Sequence, residues 1–116
     1  MKERIEWTST IRPADVDKAR EERETIARRM DALLADNAVL VLPTMPGIAP
    51  LRNRSQKEIN EFRDRALSLL CVAGLARLPQ VSLPFASLDG CPLGLSLIAA
   101  RGNETMLLAF ARELAL

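Results

Sequence analysis

Histidine and tyrosine are both absent from this chain of 116 residues, and aromatic residues make up only 3% of it. Each shortage removes a class of function. Without histidine, no Ser-His-Asp or Cys-His nucleophile system can be assembled. With so few aromatic faces there is no platform on which nucleic-acid bases could stack. The two cysteines, Cys71 and Cys91, stand far apart with no CxxC partner, so a zinc site has too few ligands. They read as ordinary small apolar residues and fit a reducing compartment, with a single disulfide between them left open. The net charge is +1, so no strong field selects nucleic acid or an anionic membrane. The longest apolar runs, 38–42 and 69–76, are too short to span a bilayer. Lys2 and Arg4 alternate with Glu3 and Glu6, and no apolar segment of a secretion signal follows. Cytoplasmic residence is the expectation.

What is present suits a globular chain: 48% hydrophobic and 27% charged residues. The length fits one domain able to bury roughly two-thirds of its unfolded surface. Residues 1–12 read as an irregular remnant with Trp7 and Ile11 as anchors. Pro13 suits a first helical turn. A helix is predicted from there to Asp36, with Val16, Ala19, Ile26, Met30 and Leu33 as its apolar stripe. Glu24 and Arg28 are spaced to pair on its surface, and Asn37 is placed to stop it. Ala38–Leu42 reads as a strand buried on both faces. PTMPGIAP, with three prolines and a glycine, must be loop. Ser55 and Glu58 form the S-x-x-E box that opens a second helix, with Gly74 near its end. Gln80–Phe85 is a second strand, and Pro84 argues for an edge or a bulge there. Asp89-Gly90 marks a turn, Pro92–Ala99 a third strand, and the hairpin loop is expected to exceed two residues. Asn103 caps a last helix with Leu107, Phe110, Ala111 and Leu114 on its buried side. The result is α/β: a mixed sheet of about three strands with covering helices.

These pieces fall in a particular order. VLVLPTMPGIAP is an apolar strand ending in Pro43-Thr44 and a proline-rich loop. VAGLARLPQVSLP brings Gly74, Leu78, Pro79, Ser82 and Pro84. GCPLGLS brings Gly90, Pro92 and Gly94, and LIAARGNETMLLAFA closes with an apolar strand, a glycine turn and a Leu-rich helix. In this order they resemble the C-terminal part of amidase signature family enzymes, over about residues 38–116. The helix over 13–37 suits the element preceding that region. One departure is Ser96, where the family usually carries glutamine. The FRDRALSLL helix and the Cys-Pro hairpin look similar to the plant amidase 1 branch and similar bacterial amidases.

The resemblance implies a single partial domain over 1–116 and hydrolysis of carboxamides by a Ser-Ser-Lys mechanism, with no metal or cofactor. It places the catalytic serines and lysine in segments outside this one, and the sequence contains no Ser-Ser pair. Ser82 and Ser96 have no activating base, and Lys18 and Lys57 fall on predicted exposed helix faces. No catalytic residue is therefore assigned. Thr44, Met45 and Pro46 are the candidate substrate-binding residues, although Thr44 on its own reads first as a loop-capping hydroxyl. The implied partners are a small amide substrate, bound only together with the missing part, and either a second copy or a complementing chain. Neither nucleic acid nor membrane is expected. Two other readings stand beside this one: a non-catalytic α/β interaction module on the same scaffold, and an unrelated small α/β domain.

Overall fold

The computed structural model describes residues 2–115, with side chains from Ile5 to Ala115. The chain opens with a short helix α1, Lys2–Thr8. This corrects the irregular segment expected over 1–12; Met1 itself lies outside the described residues. The hydroxyls of Thr8, Ser9 and Thr10 bond back to the carbonyls of Ile5, Glu6 and Trp7, closing the turn that ends α1. Trp7 is not a buried anchor: it is 64% exposed, at an open groove shared with Ile11, Val16 and Ala19.

Helix α2, Pro13–Leu33, starts with proline at its first turn as expected. Its packed side differs from the predicted stripe. Ala27 and Leu34 are buried and Met30 packs beside them, whereas Val16, Ile26 and Leu33 face outward. The helix ends earlier than expected because Leu34 leaves it to enter the core. Asp36 and Asn37 then both adopt left-handed backbone, which Asn and Asp tolerate better than most side chains.

Helix α3, Gln56–Ala76, begins with the full capping box. The Ser55 hydroxyl accepts from the Glu58 backbone N–H at 3.3 Å, and the Ser55 N–H donates to the Glu58 carboxylate at 2.9 Å. Its end is a Schellman motif. Arg77, not Gly74, takes the left-handed position, with its N–H bonded to Gly74 O at 3.4 Å and Leu78 N–H bonded to Ala73 O at 2.9 Å. Leu78 and Ala73 share one core cluster, the apolar contact that accompanies this motif. Helices α2 and α3 meet through small residues, Ala27 against Ala73 and Ala76. Arg77 pairs with Glu24 across that contact, displacing the Glu24–Arg28 pair expected from spacing. Arg28 instead donates to the Thr25 hydroxyl at 3.2 Å.

Three strands, β1 (Leu40–Pro43), β2 (Gln80–Leu88) and β3 (Cys91–Ile98), form one sheet in the order β1-β3-β2, antiparallel throughout. The expected α/β arrangement of about three strands with covering helices is what the chain adopts, with the sheet antiparallel rather than mixed. Strand β1 is an edge, however, and Val41 is 51% exposed, so it is not buried on both faces. Pro84 does mark both an edge and a bulge: the β2 register shifts between Leu83 and Ala86. Leu88 pairs with Cys91, so the hairpin turn is only Asp89-Gly90, shorter than expected. Both residues have positive φ (52° and 73°), the type I′ geometry that matches strand twist.

Helix α4, Glu104–Leu114, packs its Leu107 and Ala111 on the sheet face carrying Leu97. Phe110 lies mostly outside that contact. Asn103 precedes α4 without capping it by its side chain; its Nδ2 donates to Asn37 Oδ1 at 3.3 Å, tying the α2–β1 turn to the start of α4. Alternate residues of β3 thus feed opposite layers. Ile98 faces α2 and α3, while Leu97 faces α4. The molecule is thin, 48 × 40 × 18 Å, with a radius of gyration of 17.0 Å. A self-contained globule of this length would have about 13 Å.

The capping box yields a pH effect. The Ser55 N–H, the Arg54 guanidinium and the Ser55 hydroxyl lower the Glu58 carboxyl from 4.5 to about 2. A depressed carboxyl contributes stability above its unfolded pKa and loses it as pH falls through the folded value. We expect the urea midpoint of the wild type to drop between about pH 5 and about pH 2 by more than that of Glu58→Gln. Equal drops would remove the assigned role.

Candidate functional site: a hydroxyl network at the end of the sheet

The alternation of the strands places Gln80 and Ser82 of β2, Ser96 and Gly94 of β3, and Leu42 and Thr44 at the end of β1 on one sheet face. Ile98 and Leu40 continue that face into the α2–α3 core. Apolar contact thus gives way to a polar strip along one row of side chains. Ser96 pairs with both Ser82 and Leu42, and Thr44 lies one step further along, its N–H donating to Gly94 O at 2.8 Å.

The three hydroxyls touch. Thr44 Oγ1 lies 2.8 Å from Ser96 Oγ and 2.7 Å from Ser82 Oγ. Gln80 Nε2 donates to Ser96 Oγ at 2.8 Å. Thr44 and Ser82 stand on the two outer strands, so their contact has to pass over the central one. Gly94 lies beneath this crossing. An added Cβ there would be 2.7 Å from Thr44 Oγ1 and 2.9 Å from Ser82 Oγ, closer than side chains tolerate. The glycine is needed for this close approach. Ser96 is fully buried, Thr44 half-buried and Ser82 exposed, so the network runs from the interior outward.

Of the three candidate binding residues, Thr44 belongs to this network, and Met45 and Pro46 follow it half-buried in the loop. The second half of that loop turns elsewhere. Ile48–Leu51 and the first turns of α3 line a shallow groove of about 380 Å³ with Phe62 at its side and Arg54, Arg65, Glu58 and Glu61 around it. Thr44, Met45 and Pro46 do not line that groove. Ser82 and Ser96 each hydrogen-bond to Thr44, and Lys18 and Lys57 are exposed on α2 and α3. Sequence reasoning finds Gln80 only as the first residue of a strand. Its period-two relation to Ser82 is the available signal, but its partner across the sheet depends on register.

Both cysteines are free. Among the described residues no group of three or more acidic, histidine or cysteine side chains is placed to hold a metal, and no helix is long and apolar enough to cross a membrane.

The fold of this chain is shared with proteins of known structure. The chain superposes on a subunit of glutamyl-tRNA(Gln) amidotransferase from Thermotoga maritima with a TM-score of 0.76 at 24% identity, over 85% of this chain and 22% of that one. A family model described as Amidase matches residues 2–108, and the chain belongs to that family. It is 35% identical over 113 residues to Amidase 1 of Arabidopsis thaliana, covering 97% of this chain and 27% of the relative. It is also 26% identical over 121 residues to Outer envelope protein 64, chloroplastic, of the same plant, covering 89% of this chain and 20% of the relative. The chain therefore spans about a quarter of the length of these relatives.

Two glycines separate a steric requirement from a conformational cost. Gly74 lies in α3 with open space around it, so Gly74→Ala should stabilise by about 0.5–1 kcal/mol. Gly94→Ala must push Thr44 and Ser82 apart and should cost about 1–3 kcal/mol. Urea denaturation of both variants checks the contrast; a neutral Gly94→Ala would contradict the crossing described here.

Proposed function

We propose that this chain is a C-terminal portion of an amidase that hydrolyses carboxamides to a carboxylate and an amine or ammonia by a Ser-Ser-Lys mechanism. The observation carrying this reading is the family match across nearly the whole chain, in a sequence spanning only 27% of an amidase relative and holding no serine pair. In that mechanism a serine attacks the amide carbonyl, a bridging serine passes its proton to a lysine, and backbone N–H groups hold the oxyanion. The residues of this chain supply none of those steps. Their proposed part is scaffold: strands, a helical cover, and one wall of the substrate cleft through Thr44, Met45 and Pro46. No metal or cofactor enters the proposal. Cytoplasmic residence is part of it, supported by the two free thiols.

The proposed partner is a complementing amidase chain or a second copy of this one. Support comes from the thinness of the molecule and from large apolar side chains left open, among them Ile5, Trp7, Leu51 and Phe85. Both outer strands also have one unpaired edge within this sheet. The same surfaces favour a second reading, a non-catalytic module that keeps the amidase scaffold and binds a protein partner.

Two measurements separate these. In sedimentation and thermal unfolding the purified chain should self-associate or melt with little cooperativity; a cooperative monomer would count against an incomplete scaffold. Added to the preceding portion of a related amidase, the chain should restore carboxamide hydrolysis that neither piece shows alone. A stable complex that remains inactive would favour the interaction module.

A further inference from the structure

The stripe that gives α2 its helical period is not the side that α2 buries. Ala19, Ile26 and Leu33 recur every seven residues, so they line up along one side of the helix. All three are exposed, Leu33 by 60%, while Ala27 and Leu34 carry the buried contact. Glu22 and Arg29 flank Ile26, and the three line one open groove of about 540 Å³ with Lys18, Glu21 and Thr25. Neither Glu22 nor Arg29 forms an ion pair among the described residues, whereas Asp17, Glu24 and Asp31 of the same helix do. Ala19 lies in a second open groove, about 470 Å³, whose apolar walls include Trp7, Ile11 and Val16.

We propose that this side of α2 is the contact face of a homodimer, in which the α2 helices of two copies run antiparallel about a two-fold axis at Ile26. Such a contact needs a surface that matches itself under reversal. Reversed about Ile26, Ala19 falls opposite Leu33 of the second copy, each about 10.5 Å from the axis along the helix. The exposed leucine then enters the groove beside Ala19, where Trp7 and Val16 cover it. The same reversal brings Glu22 beside Arg29 of the second copy, and this happens twice. A parallel pairing in register would instead set glutamate against glutamate, so the charges select the antiparallel one. The area is sufficient as well. The accessible surface is 8763 Å², against about 6,300 Å² for a compact monomer of 12.8 kDa, and a standard interface takes about 800 Å² from each partner. This deepens the second-copy half of the partner proposed above, and it does not depend on amide hydrolysis.

Sedimentation equilibrium on the full chain tests it. The wild type should form a dimer. Ile26→Asp sets two carboxylates against each other at the axis and should weaken that dimer roughly hundredfold. Glu22→Arg and Arg29→Glu should each weaken it roughly tenfold. An equimolar mixture of those two variants should recover the wild-type affinity, because each chain supplies the charge the other lacks. Circular dichroism checks that each variant keeps its helices, and a folding defect in either chain is not repaired by mixing. A monomeric wild type, a dimer indifferent to Ile26→Asp, or a mixture no tighter than its components overturns the proposal. Failure of trans-complementation with the dimer intact removes the amidase reading and leaves this interface. Restored hydrolysis by a chain that stays monomeric until complemented keeps that reading and removes the interface.

Discussion

The central strand holds the molecule together. Strand β3 is paired on both edges, to β1 and to β2, and its last three residues, Ser96, Leu97 and Ile98, are completely buried together with Ala99 that follows. Leu97 anchors α4 on one face and Ile98 anchors α2 and α3 on the other. Burying side chains of this size contributes about 1.5–3 kcal/mol each. The two helical layers pack on opposite faces of this sheet, so the strand that carries both anchors decides whether the layers stay registered. Ion pairs such as Arg77–Glu24 and Arg101–Asp31 add orientation between elements, but both are largely exposed and worth little in energy.

Placing Ser96 on that strand introduces a polar atom where the packing is tightest. A buried hydroxyl without partners costs about 1–3 kcal/mol. Here the cost is offset by contacts to Gln80 and Thr44, and none of the described buried side-chain polar atoms lacks a partner. The requirement spreads outward from Ser96. Its two partners come from the two outer strands, so the pairing of both edges is tied to one hydroxyl, and Gly94 must stay small for the link to close.

Features governed by local chemistry are legible directly in the sequence. The Ser55–Glu58 box, proline at the first turn of α2, the Asp89-Gly90 turn and the disturbance at Pro84 each depend on residues a few positions apart. What is not legible depends on which neighbours are present. The stripe predicted for α2 uses its largest apolar residues, yet the helix packs through Ala27 because α3 offers alanines there and lets the backbones approach. Val16, Ile26 and Leu33 carry the periodicity of a buried face but stay exposed and join neither core cluster. Strand β1 has the composition of a doubly covered strand; in this sheet one side is open. In the site, Thr44 is identifiable from its place after Pro43, whereas Gln80 depends on the register between β2 and β3, which no local pattern specifies.

Those mismatches share a cause. Each is a place where the side chains are written for more burial than this chain provides. A fold of 18 Å thickness leaves room for little more than a sheet and one helical layer at any point. Apolar surface left open in this way attracts protein, because burying it returns free energy in proportion to area. The hydroxyl strip behaves differently: its contacts are already made among Gln80, Ser96, Thr44 and Ser82. Under the proposed reading the two surfaces therefore have different occupants. Open apolar faces and unpaired strand edges suit the larger part of an amidase, while the end of the sheet at Thr44 is the proposed cleft wall. An interaction module would need only the first, so the satisfied polar strip is the feature that favours a cleft wall over a simple docking surface.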